Sequence, residues 1–211
     1  NDEVILYDYV HSTAAYRVRI ALHLKCLAFR SVTVNLLARE HREKAFLDRN
    51  AQGLVPTLSI DGLELTQSLA IIDYLDRRVT SPPILPQDPG LRATTLADAL
   101  VIIADVHPVN NLRVWQYLKD PLGHDQDDVV RWMHHWMALG FGALERRAPE
   151  RGVFGGEPAN LVNICLVAQM YNARRFALDL EAFPKLVRIA DALCEHPAYS
   201  ASHPQKAFPA S

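Results

Sequence analysis

Hydroxyl side chains stand at two points where the sequence predicts the start of a helix. Ser12 and Thr13 precede one apolar helical pattern, and Gln67 and Ser68 precede another. The free N–H groups and the dipole of a helix N-terminus attract an anion, so the first site could hold a thiolate and the second a carboxylate. Each hydroxyl could equally be a plain helix cap without a ligand.

A proline enters a predicted strand at Val55–Pro56, just before a hairpin. Proline lacks the N–H of a ladder donor, so it suits an edge strand or a tight turn. If the Val55–Pro56 bond is cis, the backbone of Val55 is available to pair with an extended ligand. A trans proline that opens an edge strand is the alternative, and it is the commoner form.

A polar cluster interrupts the long helical pattern of residues 91–119. Pro108 lacks an N–H and predicts a kink, while His107 and Asn111 would share a helical face at a spacing of four. Asn110 and Asn111 are poor helix formers, so we interpret the cluster as a ligand-binding site. Arg113 joins it only if the kink or a partner subunit allows.

Other reactive side chains predict no metal site and no disulfide. His134 and His135 are neighbours, cannot chelate one ion together, and fit an amphipathic helix. The cysteines are far apart, form no CxxC pair, and lie in apolar contexts typical of core residues: Cys26, Cys165 and Cys194. Arg174 and Arg175 could offset a helix dipole, or one of them could reach over a cleft.

The elements that would position these residues divide the chain in two. Residues 1–80 predict a βαβ-ββα domain, in which Asp61–Gly62 is the hairpin turn. We predict strands at 4–7, 31–36, 55–60 and 63–66, a helix at 16–25, a helix over 69–79 that Ser68 caps, and an irregular helix at 40–50. Residues 81–90 form a linker, because four of the 13 prolines fall in the stretch TSPPILPQDPG.

Residues 91–211 predict an all-helical domain, because strand patterns disappear after the linker. We predict helices at 91–119, 127–147, 161–176, 184–194 and 196–201. Residues 202–211 contain two prolines and few apolar anchors, so they predict a surface arm.

Composition narrows the class of protein. Hydrophobic residues make up 49% of the 211 residues and charged residues 22%, as in ordinary globular proteins. A net charge of −2 gives no reason to expect a nucleic-acid or membrane-surface partner. No apolar run reaches the roughly 18 residues of a membrane span, and no signal-like leader is visible. We therefore expect a soluble cytoplasmic protein.

The stretch STAAYRVRIAL at residues 12–22 resembles the zeta class of glutathione transferases, the maleylacetoacetate isomerases and related maleylpyruvate isomerases. The likeness continues along nearly the whole chain, through NLLAREHREKAFLDRN, VPTLSIDGLELTQSLAIIDYLDRR, LPQDPGLRA, DVHPVNNLRVWQYL, GFGALE and ARRFALDLEAFP. The resemblance implies a thioredoxin-like domain followed by a helical domain, in a cytoplasmic homodimer that uses glutathione.

The implied activity is glutathione-dependent cis–trans isomerisation of maleylacetoacetate, or of a similar maleyl keto acid such as maleylpyruvate, in the breakdown of tyrosine and other aromatic compounds. Thiolate addition, bond rotation and elimination would make up the reaction. One alternative is a zeta-like transferase that conjugates or dehalogenates small halo-acids. Another is a non-catalytic glutathione-binding protein with the same fold.

The resemblance also assigns residues. Ser12 and Thr13 would be catalytic, with Ser12 hydrogen-bonded to the glutathione thiolate, and Val55 would pair with the cysteinyl backbone beside a cis Pro56. The implied glutathione-binding residues are Ser12, Thr13, Ala14, His41, Val55, Pro56, Gln67, Ser68, His107, Asn111 and Arg113. The implied substrate-binding residues are His11, Arg17 and Arg175.

Three departures from the family pattern stand out. The active loop reads Ser12-Thr13-Ala14-Ala15 where many members read SSCS, so its cysteine is absent, and His11 replaces a common arginine. The Ser/Thr-x-x-Asp capping box of a later helix reads Asn160-Leu-Val-Asn163. A neutral Asn163 would lose a favourable charge–dipole interaction, so we expect a cost in stability.

Overall fold

The computed structural model describes residues 3–209, which separate into two compact units. The first unit contains the residues up to Ile84 together with those from Glu195 onward, and the second is Leu85–Cys194. Residues 195–209 therefore group with the first unit, although the sequence led us to expect them in the helical domain.

The first unit has the βαβ-ββα order expected from the sequence. Its strands are β1 (Ile5–Asp8), β2 (Arg30–Thr33), β3 (Thr57–Ile60) and β4 (Leu63–Thr66), and its helices are α1 (Thr13–Leu24), α2 (Lys44–Leu47) and α3 (Ser68–Arg78). The sheet order is β2-β1-β3-β4, in which only β1 and β2 are parallel. Asp61 and Gly62 both have positive φ, as the tight turn between β3 and β4 requires.

The second unit is helical. It contains α4 (Pro89–Leu100), α5 (Leu112–Lys119), α6 (Gln126–Arg147), α7 (Leu161–Arg175) and α8 (Pro184–Cys194). Asp88 and Asp125 cap α4 and α6, since their side chains accept hydrogen bonds from the amides of Leu91 and Asp128. Within residues 3–209, none of the helices has both the length and the apolar character to cross a membrane.

The expectation of one kinked helix over residues 91–119 is wrong. After α4 the chain makes a π-helical turn at Val101–Val106 and a 3-10 turn at Pro108–Asn110. Asn111 is extended, with φ −82° and ψ 165°, and stands at the N-cap of α5. His107 and Asn111 therefore do not share the face of a continuous helix, because the missing N–H of Pro108 ends the helical ladder.

The expectation of a surface arm at residues 202–211 is wrong for the described part, which ends at residue 209. Ser202 ends α9 (Pro197–Ser202), which packs on α1, and the residues after it form α10 (Pro204–Ala207), which packs on α9. Ser202 is fully buried and Pro204 is buried. Residues 210 and 211 lie outside the described residues.

Arg19 in α1 binds residues 195–209 to the first unit through its contacts with Ser202 and Phe208. Arg19 is 1% exposed, and its Nη1 donates to both carboxylate oxygens of Asp8, at 2.7 and 2.8 Å. Its Nε also donates to the carbonyl of Ser202 at 3.1 Å. The guanidinium lies over the rings of Tyr16 and Phe208, 5.0 and 5.3 Å from their centroids. A buried charge is tolerated only when it is paired and hydrogen-bonded, and residues 195–209 supply part of this environment.

A second buried cation, Lys25, extends the first unit past residue 80. Lys25 at the end of α1 donates to Asp76 at 2.7 Å and to the carbonyl of Val79 at 2.6 Å, and also to that of Pro82. Asp76 in turn accepts from the amide of Ile84 at 2.7 Å. These bonds attach the start of the proline-rich stretch to α1 and α3.

The stability cost expected from Asn163 is not supported by its contacts. Asn160 caps α7 as expected, accepting from the amide of Val162 at 2.9 Å. The fully buried Asn163 accepts from the amide of Phe154 at 3.1 Å, and donates to the carbonyls of Phe154 and Glu157 at 3.0 and 2.9 Å. An aspartate could not make the two donations, so the neutral amide fits this position.

Candidate active site

Three candidate segments of the first unit meet at one end of the sheet. The register places Tyr7 opposite Thr57, and Thr57 opposite Thr66. Because β3 is antiparallel to both neighbours, its first residue lies at the same end as the last residues of β1 and β4. The loop that follows β1, the Val55–Pro56 dipeptide and the start of α3 are therefore brought together by strand pairing.

Ser12 caps α1 as the sequence predicted. Its Oγ accepts from the amide of Ala15 at 3.1 Å, and its own amide donates to the carbonyl of Tyr9 at 2.9 Å. The cap uses an oxygen lone pair, so the hydroxyl proton remains available as a donor. Thr13 and Ala14 are buried in the first turn of the helix. Ser12 can therefore stabilise both the helix and an anion at its N-terminus.

The other two predicted residues near this loop lie in different environments. His11 is half-buried, and its ring packs edge-on against Tyr9 with centroids 5.9 Å apart. Arg17 points into the protein and is only 2% exposed. His11 is thus the more accessible of the two for a substrate carboxylate.

Val55 presents its backbone beside a cis proline. The Val55–Pro56 bond is cis, which confirms the expectation drawn from the resemblance. Within residues 3–209, neither the amide nor the carbonyl of Val55 has a backbone partner. Asn50, which the sequence analysis missed, donates to the carbonyl of Leu54 at 2.7 Å and to Thr57 Oγ1 at 3.3 Å. Its side chain braces the segment on both sides of Val55.

The expectation that Ser68 caps α3 is wrong. Ser68 is the first residue of the helix, and Gln67 occupies the cap position without a side-chain cap bond. Gln67 has φ 67° in the left-handed region, and its side-chain Nε2 donates to Gln52 Oε1 at 2.8 Å. Ser68 is 4% exposed. The first-turn N–H groups of α3 remain without intrahelical acceptors and can serve an anion.

His41 lies in the 3-10 turn Glu40–Arg42, and its Nδ1 is buried without a partner in the described part of the chain. Burial, followed by the charges of Arg42 and Arg39, lowers the pKa of His41. The ring is therefore mostly neutral at pH 7. Gly53 has φ +60°, and a Cβ there would come within 2.7 Å of the carbonyl of His41, so glycine permits this close approach.

The candidate residues of the second unit are mostly exposed or half-buried. His107 and Asn111 are half-buried, while Arg113 and Arg175 are exposed. Asn111 Oδ1 is buried without a hydrogen-bond partner among residues 3–209. The side-chain oxygen and nitrogen of Asn110 and of Gln169 are also buried without a hydrogen-bond partner among these residues. The sequence analysis named Asn110 only as part of the polar cluster and did not single out Gln169.

Arg175 belongs to a group that we call the Phe176 cluster, made of Trp115, His134, Arg175 and Phe176. The Arg175 Cζ lies 4.9 Å from the centroid of the Phe176 ring. Trp115 packs edge-on against the same ring at 4.9 Å. His134 Nε2 lies 2.7 Å from the Phe176 carbonyl oxygen. No group of three or more His, Cys, Asp or Glu within residues 3–209 is arranged to hold a metal ion.

Comparisons with known proteins identify the family and the fold of the chain. Residues 2–77 match the family described as "Glutathione S-transferase, N-terminal domain". The chain is 42% identical to a maleylacetoacetate isomerase from Pseudomonas aeruginosa, over 94% of this chain and 95% of the relative. The holo structure of a maleylpyruvate isomerase, a bacterial zeta-class enzyme, has a TM-score of 0.92 and 34% identity, over 96% and 97% of the two chains.

A maleylacetoacetate isomerase from Methylobacterium extorquens AM1 was solved with bound malonate and glutathione. It has a TM-score of 0.90 and 32% identity, over 96% of this chain and 97% of the other. Both the thioredoxin-like sheet and the following helices are thus shared with these enzymes over nearly their full lengths. The chain belongs to the zeta class of the glutathione transferase family, the group of the maleylacetoacetate and maleylpyruvate isomerases.

Proposed function

We propose that this protein catalyses the glutathione-dependent cis–trans isomerisation of maleylacetoacetate, or of a similar maleyl keto acid such as maleylpyruvate. The observation that carries the proposal is the meeting of Ser12, Val55–Pro56 and the α3 N-terminus at one end of the sheet. Full-length similarity to isomerases of both names supports it. The breakdown of tyrosine and related aromatic compounds is the corresponding pathway.

Glutathione fits the groups available in the first unit. A peptide ligand needs backbone partners, and both polar backbone groups of Val55 are unpaired in the described chain. A carboxylate needs donors, which the start of α3 at Ser68 and the half-buried His41 offer. A thiolate needs a donor and a positive potential, which the Ser12 hydroxyl and the α1 N-terminus offer. By resemblance, Gln67 at the start of α3 and Thr13 and Ala14 at the start of α1 also bind glutathione.

Bound glutathione would supply the thiolate nucleophile whose addition and departure let the cis double bond rotate. The protein must keep this sulfur deprotonated, and the Ser12 O–H and the first-turn amides of α1 provide that stabilisation. A free thiol titrates near pH 8.5, and each unit by which its pKa is lowered corresponds to about 1.4 kcal/mol. A cysteine in the loop of residues 12–15 is not required, because the nucleophile arrives with the ligand.

The substrate is acidic, so the proposal assigns cations to its carboxylates. Arg175 and Arg113 are exposed and have no carboxylate partner within residues 3–209. The resemblance assigns His11 and Arg17 to the substrate carboxylates as well. It assigns His107 and Asn111 to glutathione binding. A planar guanidinium suits a carboxylate because it can donate two parallel hydrogen bonds.

The test is turnover of maleylacetone, a simpler analogue of the substrate, with and without glutathione. We expect isomerisation that requires glutathione but does not consume it. Stoichiometric loss of glutathione with a halo-acid, and no isomerisation, would instead indicate the conjugating or dehalogenating transferase. Glutathione binding without either reaction would indicate a non-catalytic protein. Comparing maleylacetone with maleylpyruvate then decides between the two isomerase branches. Thr13 and Tyr16 favour the maleylacetoacetate branch by resemblance.

The proposal includes a cytoplasmic homodimer, as is typical of the family. Large apolar side chains are exposed on the second unit, including Leu91 at 61% and Leu139 at 57%, and Leu63 on the first unit is 45% exposed. A partner subunit would give such surfaces a place to be buried. Sedimentation equilibrium of the purified protein tests the dimer, and cell fractionation tests the location.

A further inference from the structure

Arg175 differs from its neighbour Arg174 in what its charge contacts. Arg174 pairs with Asp191 at 2.6 Å, whereas Arg175 has no carboxylate partner in the described chain and lies over the ring of Phe176. An arginine that is held by an aromatic ring but not by an acid keeps its donors available for a ligand carboxylate. The position of the Phe176 ring therefore determines where those donors point.

The chain reverses direction immediately after Phe176. The amide of Ala177 donates to the carbonyl of Arg174 at 3.1 Å, and the amide of Leu178 donates to that of Ala173 at 2.9 Å. This pair of bonds is a Schellman motif, and it requires a left-handed residue, here Ala177 with φ 53°. Glycine would adopt this conformation without the steric strain that alanine carries, so contacts around Phe176 must help to keep the turn in place.

His134 provides such a contact from another helix. Its Nε2, on α6, lies 2.7 Å from the carbonyl oxygen of Phe176. A carbonyl only accepts, so Nε2 carries the proton and donates. Both the neutral Nε2–H tautomer and the protonated ring can make this bond, so acidification alone does not break it. Trp115 on α5 packs edge-on against the ring of Phe176, so His134 contacts the backbone of this residue and Trp115 contacts its side chain.

We infer that His134 is a positioning residue for substrate binding: by fixing the Phe176 carbonyl it holds the ring that orients Arg175. The inference rests on the proposed role of Arg175 toward an acidic substrate. His134 itself does not touch the substrate. The carboxylate-bearing ligand recognised through Arg175 would be a small dicarboxylate or keto acid.

The test compares three single variants of the full chain. In His134→Ala we expect the KM for maleylacetone and the Kd for malonate to rise about 3- to 10-fold, as for the loss of one hydrogen bond. The kcat and the KM for glutathione should change less than about 2-fold. His134→Gln, whose amide can donate from a similar position, should restore most of the affinity. His135→Ala is the matched control, because His135 is exposed and packs against Trp136 instead.

A double-variant cycle with Arg175→Leu separates positioning from a general structural role. If His134 acts through Arg175, then His134→Ala should have little further effect on the Kd for malonate once Arg175 is leucine. An equal rise in both backgrounds would overturn the inference. So would a lowered melting temperature with unchanged KM and Kd, or a Kd for malonate that Arg175→Leu leaves unchanged. The Kd for malonate tests the role of His134 without any turnover. Absence of maleylacetone isomerisation would therefore overturn the isomerase proposal alone and leave the test of His134 intact.

Discussion

The two units present their candidate binding groups in different ways. The first unit offers mainly backbone groups: the amide and carbonyl of Val55 and the first-turn amides of α1 and α3, with Ser12 as the main side-chain contribution. The second unit offers side chains, chiefly Arg175, Arg113 and Asn111.

This difference has a consequence for substitution. Backbone groups are positioned by strand pairing and helix starts, so many side-chain changes leave them in place. Side-chain groups disappear with a single substitution. Recognition of glutathione should therefore be robust in this fold, and selection among acidic substrates should be easy to change. The following predictions test that contrast, from the largest expected effect to the smallest.

Asn163→Asp tests whether the second unit also depends on side-chain identity for its fold. We expect a loss of about 2–4 kcal/mol in the free energy of unfolding, because two buried carbonyls lose their donor and face a carboxylate. Urea unfolding measures it. Asn160→Asp is the matched control, since aspartate caps a helix as well as asparagine. Equal stability of Asn163→Asp and the parent protein would show that the amide donations contribute little.

Ser12→Ala removes the main side-chain donor among the candidate glutathione-binding groups of the first unit. We expect glutathione-dependent turnover to fall about 10- to 150-fold, the scale of a hydrogen bond to a charged group. The free energy of unfolding should also fall by about 1 kcal/mol, because the cap on Ala15 is lost. Steady-state kinetics measures the turnover, and the pH dependence of the ultraviolet absorbance of bound glutathione measures the pKa of its thiol, which should rise when Ser12 no longer donates.

Asp125→Ala is the control for Ser12→Ala, because Asp125 caps α6 by accepting from the amide of Asp128 at 2.8 Å. It should cost similar stability without raising the pKa of the bound thiol. If Ser12→Ala also leaves that pKa unchanged, Ser12 is only a helix cap.

Arg175→Leu tests the side-chain site of the second unit. We expect the KM for a dicarboxylic substrate to rise about 10-fold or more, while the affinity for glutathione stays nearly constant. Steady-state kinetics with each substrate varied in turn measures both. Arg174→Leu should change neither, because Arg174 already pairs with Asp191. Equal weakening of both ligands would place Arg175 in the glutathione site or in the fold.

Asn111→Ala should have the smallest effect. Asn111 is an N-cap residue whose side chain makes no cap bond, so its replacement should change the stability of the free protein by less than about 0.5 kcal/mol. Ligand binding should weaken by roughly 1 kcal/mol, the usual contribution of a hydrogen bond. Thermal melts with and without glutathione and substrate measure both effects. A lower melting temperature with the full ligand-induced shift would make Asn111 structural.

Local rules explain what the sequence could predict. Apolar strand patterns and the Asp61–Gly62 turn indicated the sheet, and the hydroxyl of Ser12 indicated the start of α1. The cis form of Val55–Pro56 came only from the family resemblance, since chain statistics favour trans. Ser68 was misread as a cap because the left-handed conformation of Gln67 has no signature in a glutamine.

Contacts between distant residues explain what the sequence could not predict. The bond from Arg19 to the carbonyl of Ser202 spans 183 positions, so no local pattern reveals that residues 195–209 cover α1. Asn163 looked like a weakened capping box because its bonds to Phe154 depend on how the preceding loop folds back. His134 was interpreted only as part of an amphipathic helix, because its acceptor lies 42 positions away.

The attachment of residues 195–209 to the first unit also sets an order of events during translation. Most of the first unit leaves the ribosome early, but its α1 stays uncovered until the whole second unit has been made. The ion pair between Asp8 and Arg19 therefore becomes fully enclosed only after residues 195–209 have been made. A chain that stops after Cys194 would carry all helices of the second unit and an exposed face on the first. Such truncated products should be cleared by cellular proteases faster than the protein that carries residues 195–209.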